Sequence, residues 1–336
     1  MTTTASTPGD AAAAASPPTE SRRERLTGLA QQQGGVAVLV LVVVLASVFS
    51  HGFADTGNFQ SILVGNAYTS LLALGMTFVI ITGGIDLSVG SVFALGGVLA
   101  AWGSLHGGLA VGLLLPLAVS GAIGLIQGLL VSRARLAPFI VTLAGLLFAR
   151  GLLQAISDEG STTYLVPRDS AFVALGHGAL VPIGTAVVLF VLGGVLLTRT
   201  RFGQALFALG GSENAAMLMG LPVTRTKTLV YVLSGTLAGL AGALNAARLQ
   251  SGVTNIGVGY ELTAIAAVVI GGTLLTGGAG SVAGTAAGVL LLAVIQNLIG
   301  VHLSKYGSSA SDLANGVFLA LVVLVQTTLA RARRLS

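Results

Sequence analysis

RFGQALFALGGSENAAMLMGLPVTRTK, residues 201–227, with Arg199 just ahead of it, is too polar to sit in lipid, whereas almost everything on either side of it is apolar enough to do so. Arg199 and Arg201 open it, Arg225 and Lys227 close it, and Glu213 and Asn214 lie near its middle. Basic residues beside membrane-spanning ends mark the cytoplasmic side. Segment 199–227 therefore reads as a structured cytoplasmic loop between two membrane helices. Its centre reads as a short helix. Ser212 is the N-cap candidate, because its hydroxyl can accept from an unpaired first-turn N–H. Gly220 is the stop, with Pro222 just beyond it. Ala215, Ala216, Met217 and Met219 leave a small, adaptable surface suited to docking on another protein. A solvated connector without a partner is the plainer alternative. The sharper reading is that this loop hands a mechanical signal to a partner in the cytosol.

Outward from the loop the chain is apolar. Of its 336 residues 54% are apolar and only 8% charged, and the mean hydropathy is +0.93. A soluble domain carries about a quarter charged residues, and this composition could not cover so large a core. The chain is expected to be an all-α, polytopic membrane bundle. Its 48 glycines fit that class, since small residues let membrane helices approach closely. With no cysteine there is no disulfide, thiol nucleophile or thiolate metal site. His51, His106, His177 and His302 share no ligand spacing and read as interfacial residues, so no metal and no cofactor is expected. The net charge of +5 fits anchoring to anionic membrane lipid. No basic, aromatic-interleaved patch points to nucleic acid.

Residues 1–33 are rich in Ala, Thr, Ser and Pro and end in the basic cluster Arg22, Arg23 and Arg25. Such a segment cannot bury enough apolar surface to fold alone. It is read as a disordered cytoplasmic tail ahead of a retained first helix. A cleaved signal peptide is the alternative, but no convincing small-residue cleavage site follows. Membrane helices need ~20 predominantly apolar residues. About ten candidates result, over 34–52, 62–81, 88–105, 109–131, 138–156, 179–198, 228–247, 260–276, 282–301 and 312–330. The transmembrane body thus spans 34–330, and 331–336 is a basic cytoplasmic tail. Starting inside and alternating, Arg133, Arg135, Arg199, Arg201, Arg225, Lys227, Arg331, Arg333 and Arg334 all fall on the cytoplasmic side, and only Arg150, Arg168, Arg248 and Lys305 fall at or toward the outside. Asp55, Asp158, Glu159, Asp169, Glu261 and Asp312 mostly fall on the other. One missed helix would scramble that pattern, so both termini are expected inside.

Two glycine-rich breaks interrupt the apolar runs, TGGIDLSVG at Thr82–Gly90 and GGTLLTGGAGS at Gly271–Ser281. Each is expected near the inner face. They resemble one another, with TGG followed by Gly90-Ser91-Val92 in one and Gly280-Ser281-Val282 in the other. A weak internal repeat of this kind is common in transporters. Asp86 is the only acid inside an apolar stretch of the first half. A charge in hydrocarbon costs ~2.5–3.5 kcal/mol on insertion scales, so it faces a cavity or a partner. Asp86 and Ser88 are candidates for a translocation path or gate. The competing reading has Asp86 cap the helix that follows. Arg150 lies in the outer half of its span, with Gln154, Asp158 and Glu159 at one and two turns further on. This is either a water-facing stripe or a snorkelling arginine paired with an acid. Asn66, Gln127, Asn245, Gln296, Asn297 and Asn315 are uncharged polar groups within spans. Each suits helix packing. As a set, with Arg248 and Glu261, they suit a path for an uncharged, hydroxyl-rich solute.

No phosphate-binding GxxxxGK[ST], nucleophile elbow or HExxH is present. The chain is expected not to be an enzyme, and any ATP that powers it is hydrolysed by another subunit. An ion-coupled secondary sugar transporter built on broken helices is the rival class. It would need buried acids, of which only Asp86 qualifies. A scaffolding membrane protein is a third, disfavoured by the recurrent glycine-rich breaks.

Three stretches, GGIDLSVGSVFALGG (Gly83–Gly97), ALGGSENAAMLMGLPV (Ala208–Val223) and GYELTAIAAVVIGGTLLTGGAGSVAGT (Gly259–Thr285), resemble the permease family of ribose-type sugar ABC importers. The likeness runs from about Asn58 to Leu329. PFIVTLAGLLFARGLL (Pro138–Leu153) looks closest to galactofuranose-type permeases. The resemblance implies a permease dimer, of two copies or of two paralogues, in the bacterial inner membrane. Cytosolic ATP-binding subunits and a periplasmic or lipid-anchored sugar-binding protein would complete it. It implies that Gly210, Gly211, Asn214, Ala215, Ala216 and Gly220 form the ATPase-contacting segment. Its substrate would be a monosaccharide. The chain departs from many relatives at Thr263, where they carry an acid, which weakens any role for an acidic pair with Glu261.

Overall fold

A computed structural model describes residues 22–303, with side chains from residue 36, and beyond them only residues 310, 313, 314, 316, 317 and 320. The expected span 312–330 and the basic tail 331–336 therefore lie almost wholly outside the described residues, as does most of the expected N-terminal tail. The described chain is a bundle of α-helices. Six of them are long and apolar enough to cross a membrane, and shorter apolar helical stretches cover Val36–Phe49 and Tyr260–Ile270.

Helix α1 runs Arg22–Phe49 and so begins earlier than the apolar run alone predicts. Extending a helix adds one bond per residue fixed, whereas starting one is costly. Leu26, Ala30 and Gln31–Gln33 are good helix formers, and they continue the helix back to the basic cluster. Helix α2, Thr56–Ile81, is the axis of the bundle. Leu72, Ala73, Met76, Val79, Ile80 and Ile81 are all fully buried. A helix that is apolar all round must be surrounded, and from Ser70 to Ile81 this one is.

Helix α3, Val89–Ser132, is 44 residues long. At 1.5 Å per residue it would reach about 66 Å, more than twice the hydrocarbon core. It folds back instead. Gly107 (φ −147°, ψ 18°) and Gly108 (φ 64°, ψ −155°) leave helical geometry, and the conformation of Gly108 is open essentially to glycine alone. The two arms, 89–106 and 109–132, answer to the two spans expected there.

Helix α4 follows at Pro138–Ile156 and α5 at Leu180–Arg199. Helices α6, Arg201–Gly211, and α7, Glu213–Leu218, make up the loop of the opening stretch. Helix α8, Val223–Leu249, makes its closest packing with the α3 hairpin. Backbones nearly touch there: a Cβ on Gly96 would stand 2.8 Å from Gly239 Cα, and one on Gly128 would stand 2.8 Å from Thr228 Cα. Small residues permit this approach, and dispersion between backbones holds it.

At the far end of α8 the chain forms strand β2, Ser251–Gly252, paired antiparallel with β1, Tyr164–Leu165. This two-residue pair is the one departure from an all-α fold among the described residues. It joins the segments 157–178 and 250–259 into a single folded cap. Phe172 and Val173 are buried beneath it with Ala100, Ala101, Ala243 and Ala247.

Helix α9, Tyr260–Ile270, has 11 residues. It covers about 16 Å, half of what a span requires. Helical structure was expected to run on to residue 276. It stops because Gly271 and Gly272 follow, with Gly272 at φ +91°. Helix α10, Val282–Leu303, completes the described bundle.

Candidate functional site

The loop of the opening stretch is a small folded unit. Thr200 caps α6 by accepting from Gly203 N at 3.3 Å, and Ser212 caps α7 by accepting from Ala215 N at 3.3 Å. Helix α7 ends as the sequence leads one to expect. Gly220 sits at φ +75°, its N–H donates to Met217 O at 3.0 Å, and Leu221 N–H donates to Ala216 O at 3.1 Å. That pair of bonds satisfies carbonyls that a helix end leaves open. Lys227 Nζ reaches Glu213 Oε2 at 2.6 Å and ties α7 to the start of α8.

Side-chain directions sort the residues expected at a docking surface. Asn214, Ala215 and Gly211 are exposed. Ala216 is fully buried, packed with Leu209, Leu221 and Val223. A six-residue helix lying on a support must turn one face inward, and Ala216 is on that face. What the unit displays is Met217, Leu218 and Met219, at 46%, 90% and 66% exposure. Leu218 was not singled out from sequence, where nothing distinguishes an outward leucine from an inward one. Behind α7 lies a pocket of about 370 Å³, bordered by Ser132, Arg135, Glu213, Met217, Thr224 and Arg225.

Gly210 faces its own protein. A Cβ on it would overlap Ile81 O and Gly278 N. Gly278 N–H donates to Ile81 O at 2.9 Å. A Cβ on Gly277 would stand 2.8 Å from Gly83 N and 3.1 Å from Gly210 O. The two glycine-rich breaks and the end of α6 thus meet backbone to backbone. Gly83 and Gly277, the matching glycines of the two TGG motifs, have nearly the same φ, +78° and +85°.

Asp86 is 1% exposed. Its Oδ1 accepts from Ser88 N at 3.0 Å and from Ser88 Oγ at 2.6 Å, and its Oδ2 accepts from Ser234 Oγ at 2.8 Å. The carboxylate therefore anchors the entry to α3 and ties it to α8. This is nearer the capping reading than the gate reading, with a tertiary partner that the sequence could not name. Gln127 Oε1 lies 3.3 Å from Ser88 Oγ. Ser88 has one proton and gives it to Asp86, so the amide is best satisfied when its NH₂ faces the hydroxyl. Tyr231 is buried alongside, its hydroxyl against Gly84.

Arg150 does not pair with Asp158 or Glu159. Its Nη1 donates to Thr254 O at 3.0 Å and to Ile256 O at 3.2 Å, with Nη2 on Ile256 O at 3.3 Å. Those acids lie in a left-handed turn, φ +49° and +55°, that carries the chain away from α4. Arg150 instead clamps the segment leading into α9. Glu261, in the first turn of α9, is half-buried beside Gly90. Gly90 and Gly257 are in backbone contact, and the rings of Phe93 and Tyr260 lie 5.4 Å apart. The first turns of α3 and α9 therefore adjoin. Thr263 Oγ1 bonds back to Gly259 O at 3.3 Å.

The remaining polar set does not gather on one surface. Gln154 is exposed on α4 and Asn245 half-buried on α8. Asn58 and Asn297 bond each other across α2 and α10, with Asn297 Nδ2 donating at 3.0 Å. Asn66 bonds Ile62 O and borders, with Ser70, a mainly apolar cavity of about 260 Å³ between α2, α5 and α10. Asn315 lies outside the described residues.

Comparison with known proteins gives a consistent answer. Residues 58–326 match the family model described as branched-chain amino acid transport system / permease component. The ribose import permease protein RbsC of Bacillus subtilis (strain 168) is 39% identical over 293 residues, covering 85% of this chain and 90% of that protein. The inner membrane ABC transporter permease protein YjfF of Escherichia coli (strain K12) is 41% identical over 285 residues, covering 82% and 85%. The fructose import permease protein FruG of Bifidobacterium longum (strain NCC 2705) is 35% identical over 310 residues, covering 88% and 89%. No solved structure matches the chain significantly. A glycine-broken apolar bundle with one folded polar loop, matched from residue 58 to 326, belongs to the transport-system permease family, and the chain is a membrane transport component rather than an enzyme.

Proposed function

We propose that this chain is the membrane permease subunit of an ABC importer that moves a monosaccharide inward across the bacterial inner membrane. The observation that carries this reading is its similarity, over more than four-fifths of its length, to permeases named for ribose and fructose import. The family description speaks of amino acids, but these relatives are named for sugars. An uncharged polyol also suits amide and hydroxyl groups better than a zwitterion would. Galactofuranose is a narrower choice within that class, supported by Pro138–Leu153 alone.

In this reading the chain crosses the membrane ten times with both termini inside. The α9 half-helix and the 250–259 segment together make one crossing. Two cytosolic ATP-binding subunits dock on α7 and its surroundings. A periplasmic or lipid-anchored sugar-binding protein delivers sugar to the β1–β2 cap. A second permease copy or paralogue completes the path, which Asp86, Ser88, Arg150, Gln154, Asn245 and Glu261 help to line or to position. A permanently open polar path would leak, so one end closes as the other opens.

The test is reconstitution of the full chain with its ATPase subunits and binding protein in liposomes, with uptake of labelled ribose, fructose, arabinose and galactofuranose measured. Uptake should require ATP and the binding protein. Uptake that survives without the ATPase but disappears with an ion gradient would make the chain a secondary transporter instead.

A further inference from the structure

We propose that the meeting of Ile81–Gly83, Gly210–Gly211 and Thr276–Gly278 transmits force from the cytosolic loop to the two interrupted helices, with Gly210 and Gly277 as its positioning residues. This rests on the reading of 199–227 as the ATPase-docking loop.

Three segments far apart in sequence share one contact made of backbone. The last carbonyl of α2, at Ile81, would be an orphan of the helix end, and Gly278 N–H satisfies it at 2.9 Å. Gly210 closes the same point from the end of α6, so near that a methyl group would overlap both partners. No side chain stands between the segments, so none can change rotamer and absorb a displacement. Close-packed protein transmits strain rather than dissipating it.

Each branch leaving this point ends at a broken helix. From Ile81 the chain passes through Gly83 to Asp86, whose carboxylate is held by Ser88 at the head of α3 and Ser234 on α8. From Gly277 it runs back to Gly271, the end of α9, which is itself in backbone contact with Gly284 of α10. The first turns of α3 and α9 adjoin at Gly90 and Gly257. A push on α6 therefore reaches both α3 and α9 through one joint. A glycine of α2 outside the joint provides an internal control, because a Cβ on Gly65 meets nothing within 4 Å.

The experiment uses the complete transporter and reads three quantities: co-purification of the ATPase subunits, ATP hydrolysed, and sugar taken up. Gly210→Ala and Gly277→Ala should keep their ATPase partner yet hydrolyse about tenfold more ATP per sugar moved, within the usual range of coupling between sites. Gly65→Ala should keep the wild-type ratio. A wild-type ratio in both junction variants overturns the proposal. A second measurement leaves the junction glycines intact. Spin labels on Gln204→Cys, exposed on α6, and Thr276→Cys, the only cysteines in the chain, should keep their separation to about 2 Å between ATP-free and ATP-trapped states, the size of an ordinary helix shift. The distance from Thr276→Cys to Thr162→Cys, at the other end of the bundle, should change. Separation of the first pair on ATP binding also overturns the proposal. Docking is read independently by Leu218→Glu, which alters only the exposed face of α7. If that variant keeps its ATPase partner while the junction variants uncouple, the docking reading fails and the joint stands.

Discussion

A carboxylate at Asp86 survives in an apolar interior because its two oxygens take three hydrogen bonds, two from Ser88 and one from Ser234. Removing one partner of a buried polar set leaves the others unsatisfied, which costs more than the bond itself is worth. Asp86→Ala should therefore lower stability by about 3 kcal/mol, seen as a reduced melting temperature in detergent. Asp86→Asn keeps the shape and an acceptor for Ser88, and Ser234 can accept from the new amide. Its loss should be nearer about 1 kcal/mol, with most uptake retained. Near-complete loss of uptake in a stable Asp86→Asn protein would instead give the charge a role in the path. Arg150 obeys a related logic. Its planar fork spans two carbonyls, Thr254 O and Ile256 O, which a lysine ammonium cannot bridge in the same way. Arg150→Lys should leave segment 250–259 more open to hydrogen exchange, with α4 itself unchanged. Equal protection in both proteins would show that the β1–β2 pairing alone holds that segment.

Among the elements, α7 was the most legible, because its two ends are set by local chemistry. A serine hydroxyl and a left-handed glycine act within a few residues, and both were found where the sequence put them. Replacing Ser212 by Ala should cost about 1 kcal/mol of local stability. Replacing Gly220 by Ala should cost a similar amount, about 1 kcal/mol, since φ +75° strains any L side chain. Faster exchange of amides 213–218 in both variants, with α8 unchanged, is the expected result. Uniform change across the bundle would mean that α7 does not unfold on its own. The α3 hairpin was also legible, since Gly107-Gly108 divides a run too long for one crossing. Helix α9 was less so. The break at Gly271–Ser281 was marked in the sequence, but hydropathy continues past Ile270 through Leu274 and Leu275 and put the end of the span at 276, six residues beyond where α9 stops. Ser234 was invisible as a partner of Asp86 because it lies 148 positions away and nothing local marks it. Gly210, expected in the ATPase-contacting segment, has neighbours in its own chain that the sequence did not reveal, Ile81 and Gly278.

At the scale of the whole molecule, α8 fixes which features share an end. It starts beside α7 and finishes at β2, so the loop of Arg201–Lys227 and the β1–β2 cap lie at opposite ends of one 27-residue helix. At about 40 Å that helix is long enough to cross the hydrocarbon with a turn to spare at each end. The basic residues then predict a direction. Arg199, Arg201, Arg225 and Lys227 crowd one end, whereas Asp158, Glu159 and Asp169 stand at the other beside the cap. Arginine and lysine are retained on the cytoplasmic side far more strongly than acids are excluded from it. The absence of cysteine makes the consequence simple to measure, because any introduced thiol is unique. Asn214→Cys, exposed on α7, should react with a membrane-impermeant maleimide only after cells are opened. Thr162→Cys, exposed just before β1, should react in spheroplasts with an intact inner membrane. Labelling of Asn214→Cys from outside would invert the bundle, move its one folded polar loop away from any ATP-binding partner, and leave a transporter that could not be driven from the cytosol by that route.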